Sequence, residues 1–439
     1  MKSVSLKQVS PICALLVLAF LIYSLAIFPY APLQDLPEWV YQSYIFNELV
    51  SGHTSNDFGL KSYPVPYAFF QLITSAVLTI FSPFVTSKIV VLLYGILVLS
   101  SIHLFLSRAR IDPLIGWVFM ISVVALNSSF WNGYMGYQFG LIVLLFYLSL
   151  PGESRTAIFP VLMVSVLAFF AHGIIFASIL VFMGIYSLYG RRILQYALGV
   201  LPSLFLGVWY VIKNDSSGEL NEIYQLHDLN VMAYKAYTLL KTAPFHNPKI
   251  ASFNPIEYFG SSYLIGGILL DTVFVASLAA LAFAAVSRSS LRAIVVKPEF
   301  AIFGILLAVA LALPPSALGI VNSGERVLYP ALIAFGMAVY AVPGLPMVPK
   351  VTLTAALIGC YGLMAIALVP ESAIYRDTKE SPGTGQRTTQ LAVSSRLLFG
   401  HRFMQYDGKM KQLEQAWRSG TLPPPPLAFD TALISAKSR

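Results

Sequence analysis

The residues of this chain that can do chemistry are few, and they sit at the ends of long apolar runs. The most telling group is Asp35-Leu36-Pro37-Glu38-Trp39, placed a few residues beyond the first apolar run, 12–30. A carboxylate in that position can take a proton from an acceptor hydroxyl, and Asp35 is the candidate base. Glu38, three residues on, is placed to assist it or to hold a divalent cation, although two carboxylates alone specify no metal. The plain structural alternative is an acidic cap on a helix that Pro37 starts with its fixed φ.

Arg326 follows Gly324-Glu325 and opens a late apolar run. Its guanidinium fork suits a phosphate or pyrophosphate on a lipid carrier, with Glu325 orienting it; the alternative is an anchor reaching to lipid headgroups. His172 interrupts two apolar runs at Ala171-His172-Gly173. There it either donates to a phosphate or sugar hydroxyl or satisfies a backbone carbonyl in a tight turn. The stretch from Asn132 to Gly140 carries amides, phenols and three glycines. Asn132 and Tyr137 suit the hydroxyl edges and apolar faces of sugar rings, with an aromatic interface belt as the rival reading. Lys88 reads as an interfacial anchor, with phosphate contact as a second use.

Cys13 and Cys360 fall inside apolar runs near opposite ends of the chain, which offers neither a disulfide framework nor a metal cluster. There is no Gly-x-x-x-x-Gly-Lys loop, no Gly-x-Gly-x-x-Gly after a strand and no His-Glu-x-x-His. A sugar-transferring enzyme without a nucleotide site, working away from the cytoplasm, must draw its donor from the membrane.

The elements that position these residues follow from composition. Of 439 residues, 57% are hydrophobic and 11% charged, about half the charged share of a soluble domain. A bilayer crossing needs roughly 20 apolar residues. Apolar runs at 12–30, 88–105, 113–125, 139–150, 158–170, 174–189, 193–212, 263–286, 300–313, 327–342 and 351–369 make an all-α polytopic membrane protein with about eleven transmembrane helices in one domain, 1–369. The first run resembles a signal peptide behind Lys2 and Lys7, but it lacks a small-x-small cleavage site and is read as a retained helix.

The segment 66–83 is apolar enough to cross, yet prolines bound it and polar residues break it up. If it lies along the surface, short loops on one side receive eleven basic residues against three acids, a strong cytoplasmic bias. The exterior then holds loops 31–87, 127–138 and 213–262, the turn at His172 and the piece 314–326. Residues 41–49 and 67–80 read as interfacial helices, and a short helix is expected at 231–241. The tail, 370–439, has ten basic residues and six acids; it reads as mostly linker, partly disordered, with a helical piece at 409–418. The net charge of +8 is scattered through short loops and the tail, so it points to topology and not to nucleic acid.

Taken in order, these features resemble the GT-C superfamily of membrane glycosyltransferases. Four matches carry the likeness: Asp35-Leu36-Pro37-Glu38-Trp39 after the first helix, the proline-bounded Tyr63-Pro64-Val65-Pro66-Tyr67, the Gly-rich Gly136-Tyr137-Gln138-Phe139-Gly140-Leu141, and Arg326-Val327-Leu328-Tyr329-Pro330 opening a late helix. The resemblance implies transfer of a sugar from a polyprenyl-phosphate donor to a glycan, lipid or protein acceptor on the non-cytoplasmic face, in a plasma membrane of bacterial inner-membrane type. It implies that Asp35 acts as base or acceptor-positioning group and that Arg326 contacts the lipid phosphate. Many members carry a second acid in the second exterior loop; 127–138 has none, which puts metal dependence in doubt, and Asn132 stands where that acid would be. The rival functions are a transporter or flippase, for which Asp271 is the charged group within a span, and a lipid-linked glycan polymerase or ligase. Against the latter, loop 213–262 carries lysines and no arginine.

Overall fold

The computed structural model describes residues 6–53, 58–213, 235, 238, 242–245, 262–314, 316–317, 320–321, 323–377, 400–421 and 433–436. Every one of the eleven apolar runs forms a helix. In chain order these are α1 (Leu6–Ile27), α4 (Pro83–Arg108), α5 (Pro113–Met120), α7 (Met135–Ser149), α8 (Ile158–Ala171), α9 (Gly173–Tyr189), α10 (Ile193–Lys213), α11 (Ser262–Arg288), α13 (Pro298–Ala312), α14 (Ser323–Val339) and α15 (Met347–Asp377). Between them lie α2 (Leu36–Val50), α3 (Ala68–Leu78), α6 (Ser128–Trp131) and α12 (Leu291–Val295), and α16 (Gly400–Ser419) follows. Among the described residues, six helices are long and apolar enough to cross a membrane, and five further apolar helices are shorter.

Local chemistry sets the boundaries. Proline occupies the first turn of α2, α4, α5 and α13, where its missing N–H has no partner to lose. Asp112 caps α5 by accepting from the amides of Leu114 and Ile115 at 3.1 and 3.3 Å. α5 then widens into a π turn, Ile121–Ala125. Its displaced carbonyls keep partners: the Tyr94 hydroxyl donates to Ala125 O at 2.8 Å, and Asn127 Nδ2 donates to Val123 O at 2.8 Å. Asn127 also accepts from the Phe130 amide, which starts α6.

The interfacial reading of 66–83 meets a helix of only 11 residues, α3, about 16 Å long at 1.5 Å per residue and too short to cross. It packs beside α2. Gln71, fully buried, ties the two together: its Nε2 donates to Gln42 O at 3.3 Å and its carbonyl accepts from the Ser43 hydroxyl at 3.2 Å.

The tail is more than linker where it is described. The helical piece expected at 409–418 extends through α16, which packs on α2 and α4. Glu414 Oε2 accepts from the Phe84 amide at the start of α4, and the Tyr44 hydroxyl on α2 donates to Thr421 O at 3.1 Å. β4 (Ile434–Ala436) pairs antiparallel with β1 (Phe58–Leu60), and the Leu433 amide donates to Gln71 Oε1 at 2.9 Å. A second two-stranded pair joins β2 (Ser316–Ala317) to β3 (Ile320–Val321). The short helix expected at 231–241 lies outside the described residues except for Lys235 and Thr238, both helical.

Contacts sort the connecting segments into two ends of the bundle. At one end meet the described parts of the first loop, the α6–α7 loop, His172, Arg326, and α16 and β4 of the tail. At the other, Lys350 pairs with Asp112 at 2.5 Å, the Tyr186 hydroxyl donates to Glu299 at 3.1 Å, and Arg192 donates to Glu153 O at 3.3 Å.

Candidate functional site

The site is built by the α6–α7 loop, against which the start of α2 is laid. The amides of Gln34 and Asp35 donate to the carbonyls of Trp131 and Asn132 at 3.2 and 3.1 Å. Gly133 makes this approach possible. Its φ is +76°, and a Cβ there would lie 2.6 Å from the Asp35 nitrogen and 2.7 Å from that of Leu36, so both backbone conformation and space demand glycine. Gly136, one turn on, lets α7 run against Ala171 O, where a Cβ would sit 3.1 Å away.

Asp35 precedes the first turn of α2 as its N-cap residue, yet its side chain makes no capping hydrogen bond. The structural alternative for this carboxylate therefore lacks the bond that would define it. Asp35 is partly exposed. Glu38 is buried at 5% exposure in the first turn of α2; burial first, and its charge second, raise the Tyr41 hydroxyl.

Arg326 lies in the first turn of α14, 7% exposed. Its guanidinium carbon stands 3.8 Å above the Tyr134 ring centroid, a cation–π stack. Its Nη1 approaches His172 Nε2 at 2.9 Å, and its carbonyl accepts from the Tyr137 hydroxyl at 2.7 Å. Burial raises the Tyr134 hydroxyl, Arg326 pulls it down, and Asp35 and Glu325 push it up. One phenol thus feels both the early acid and the late base.

His172 joins α8 to α9 and caps α9, its Nδ1 accepting from the Ile174 amide at 3.1 Å. The rings of Tyr67 and Tyr137 meet it edge-on with centroids 4.8 and 5.2 Å away. Tyr67 itself is held at φ +71° before α3, an uncommon conformation for a large side chain. Beside it opens an apolar cavity of about 650 Å³, whose lining includes Tyr67, Phe176, Tyr210, Leu306, Ser323 and Val327.

Of the residues singled out from the sequence, Asp35, Asn132, Tyr137, His172, Glu325 and Arg326 come together. The surroundings of Glu325, Asn132 and Lys88 add detail. Glu325, 1% exposed, accepts from the hydroxyls of Ser128 and Tyr329, so its bonds run to α6 as well as along its own helix. Asn132 contributes its carbonyl to Asp35. Lys88, half-buried in the second turn of α4, has no hydrogen bond or ion pair to this cluster among the described residues. Groups of three or more His, Cys, Asp or Glu able to hold a metal are absent among the described residues.

Sequence reasoning passed over Tyr134, Tyr67 and Ser128 as site residues. Tyr134 stands in the Gly-rich stretch beside Tyr137, and nothing local tells which phenol turns toward Arg326.

Fold and site together define an all-α bundle with only two short strand pairs among the described residues, several of its helices long and apolar enough to cross a membrane, with a polar cluster at one end. No family model, curated protein or solved structure matches the chain.

Proposed function

We propose that this protein is a membrane glycosyltransferase of the GT-C kind, which moves a sugar from a polyprenyl-phosphate donor to an acceptor on the non-cytoplasmic face. The observation that carries this reading is Tyr134, which lies under the Arg326 guanidinium and feels the Asp35 charge, with an apolar cavity close by that Tyr67, Ser323 and Val327 help to line. In this scheme the cavity takes the isoprenoid chain and Arg326 holds the phosphate, its charge offsetting the negative charge that develops as the sugar leaves. Asp35 accepts the proton of the attacking hydroxyl. The face follows from eleven crossings with α3 lying in the interface, which puts Arg108, Arg155, Arg192, Arg288 and Lys350 on the cytoplasmic side.

Asp271 is what a transporter reading would need, and it already has a structural task. Its Oδ1 accepts from the Phe245 amide at 2.9 Å and lies 3.6 Å from Cys360 Sγ. It anchors a piece of the large loop against α11 and α15.

Turnover by purified protein in nanodiscs, supplied with a polyprenyl-phosphate sugar, tests the assignment. Asp35→Asn abolishes transfer while donor binding stays; Arg326→Ala weakens donor use more than acceptor use. Unchanged turnover in Asp35→Asn removes Asp35 from the chemistry.

A further inference from the structure

The ring of His172 faces more donors than it has lone pairs. A neutral imidazole offers one acceptor nitrogen. Nδ1 spends that lone pair on the Ile174 amide, which places the ring proton on Nε2. Nε2 lies 2.9 Å from Nη1 of Arg326, a group that stays protonated and only donates. Two N–H groups therefore point at each other where His172 is 1% exposed. The other tautomer moves the conflict to Ile174 without removing it. The Arg326 Nε–H is also buried and has no hydrogen-bond partner among the described residues.

A buried spot rich in donors and short of acceptors is what an oxyanion relieves. We infer that His172 and Arg326 form one receptor for a phosphate-type oxyanion, in which a neutral His172 donates from Nε2 and the guanidinium donates from Nη1 and Nε. Resting on the phosphate-facing role proposed for Arg326, this adds a second donor and its charge state. Protonating the ring would replace the acceptor that holds the Ile174 amide. The groups facing the ring are the phenols of Tyr67 and Tyr137 and the Arg326 guanidinium, with Asp35 and Glu325 acting on Tyr134 beneath that guanidinium. Burial first, and Arg326 second, hold His172 well below the ordinary histidine value. A site built on imidazolium would bind anions more tightly as pH falls toward that value, about 6.5. A receptor using the neutral ring does not.

The test uses the full chain in nanodiscs and a long-chain alkyl methyl phosphate, a diester that keeps one negative charge between pH 6 and pH 8. The wild type binds it with a dissociation constant that changes by less than about threefold across that range, and His172→Phe binds at least about tenfold more weakly, the loss of one charge-assisted donor. His172→Gln, whose amide still donates, recovers part of that loss. Should the Phe variant not fold, the ring ¹⁵N spectrum of the wild type at pH 7 decides: an Nε2–H tautomer supports the receptor and an Nδ1–H tautomer overturns it. Binding by folded His172→Phe equal to wild type overturns it as well, as does a tenfold or greater gain from pH 8 to pH 6. Arg326→Ala separates the two levels: lost binding there keeps the phosphate role of Arg326 whatever His172 does, and unchanged binding removes that role itself.

Discussion

The cation–π stack of Arg326 on Tyr134 is the smallest unit on which the proposed chemistry depends, and Gly133 is the residue that lets it form beside Asp35. Gly133→Ala adds strain at a positive φ and pushes a methyl into the Asp35 and Leu36 nitrogens. It lowers stability by about 1–3 kcal/mol, seen as a fall in thermal midpoint, and it displaces Asp35, so transfer falls further than stability accounts for. A variant with full activity would mean that the loop contact does not position the acid. Tyr134→Leu keeps an apolar support under the guanidinium and removes the ring face. Donor affinity then drops roughly three- to thirtyfold, the worth of a partly desolvated stack, in a direct binding measurement.

At the scale of elements, α2 aims Asp35 and is itself held from behind by α3 and the tail. Tyr44→Phe deletes a hydroxyl that donates to Thr421 O and Ala416 O and should cost about 1–2 kcal/mol. Protease nicking near α16 at a temperature where the wild type resists would register the loss; an unchanged digestion pattern would show that its buried Met410 and Leu413 and the Glu414 bond to the Phe84 amide hold α16 without Tyr44. The eleven apolar helices were legible because their cores are runs of apolar residues, whereas α16 is mixed in charge. The π turn at Ile121–Ala125 was not, since its partners, Tyr94 and Asn127, are recognisable only after folding. β1 and β4 were equally hidden: three residues carry no period, and the pairing spans most of the chain. Reading the tail as linker followed from its prolines and polar composition, which say nothing of the Gln71 side chain that receives Leu433.

For the molecule as a whole, candidate chemistry was legible as residue types at the ends of apolar runs, and alternation of the ends brought Asp35, His172 and Arg326 to one side. What no local pattern carries is which ring turns toward which charge. Tyr134, next to Gly133 and under the Arg326 guanidinium, and Ser128, whose hydroxyl reaches Glu325 on α14, are long-range outcomes. Lys88, read first as an interfacial anchor and only second as a phosphate contact, is half-buried in the second turn of α4. The two ends of the bundle also make the orientation testable. Cysteines introduced at Ser62 and Ser419 into a chain lacking Cys13 and Cys360 are labelled by an impermeant maleimide from the non-cytoplasmic side, and one at Gly152 is not. Labelling of Gly152→Cys from that side would invert the topology and place the cluster in the cytoplasm.

The most direct measurement is a cryo-EM map of the Asp35→Asn variant in nanodiscs with a polyprenyl-phosphate sugar bound. The account predicts phosphate density within hydrogen-bond reach of Arg326 and His172 Nε2, the isoprenoid running into the cavity beside Tyr67 and Phe176, and the sugar directed toward residue 35. Phosphate density at the Lys350 end of the bundle, or a sugar far from residue 35 with Arg326 still stacked on Tyr134 and unliganded, would contradict it.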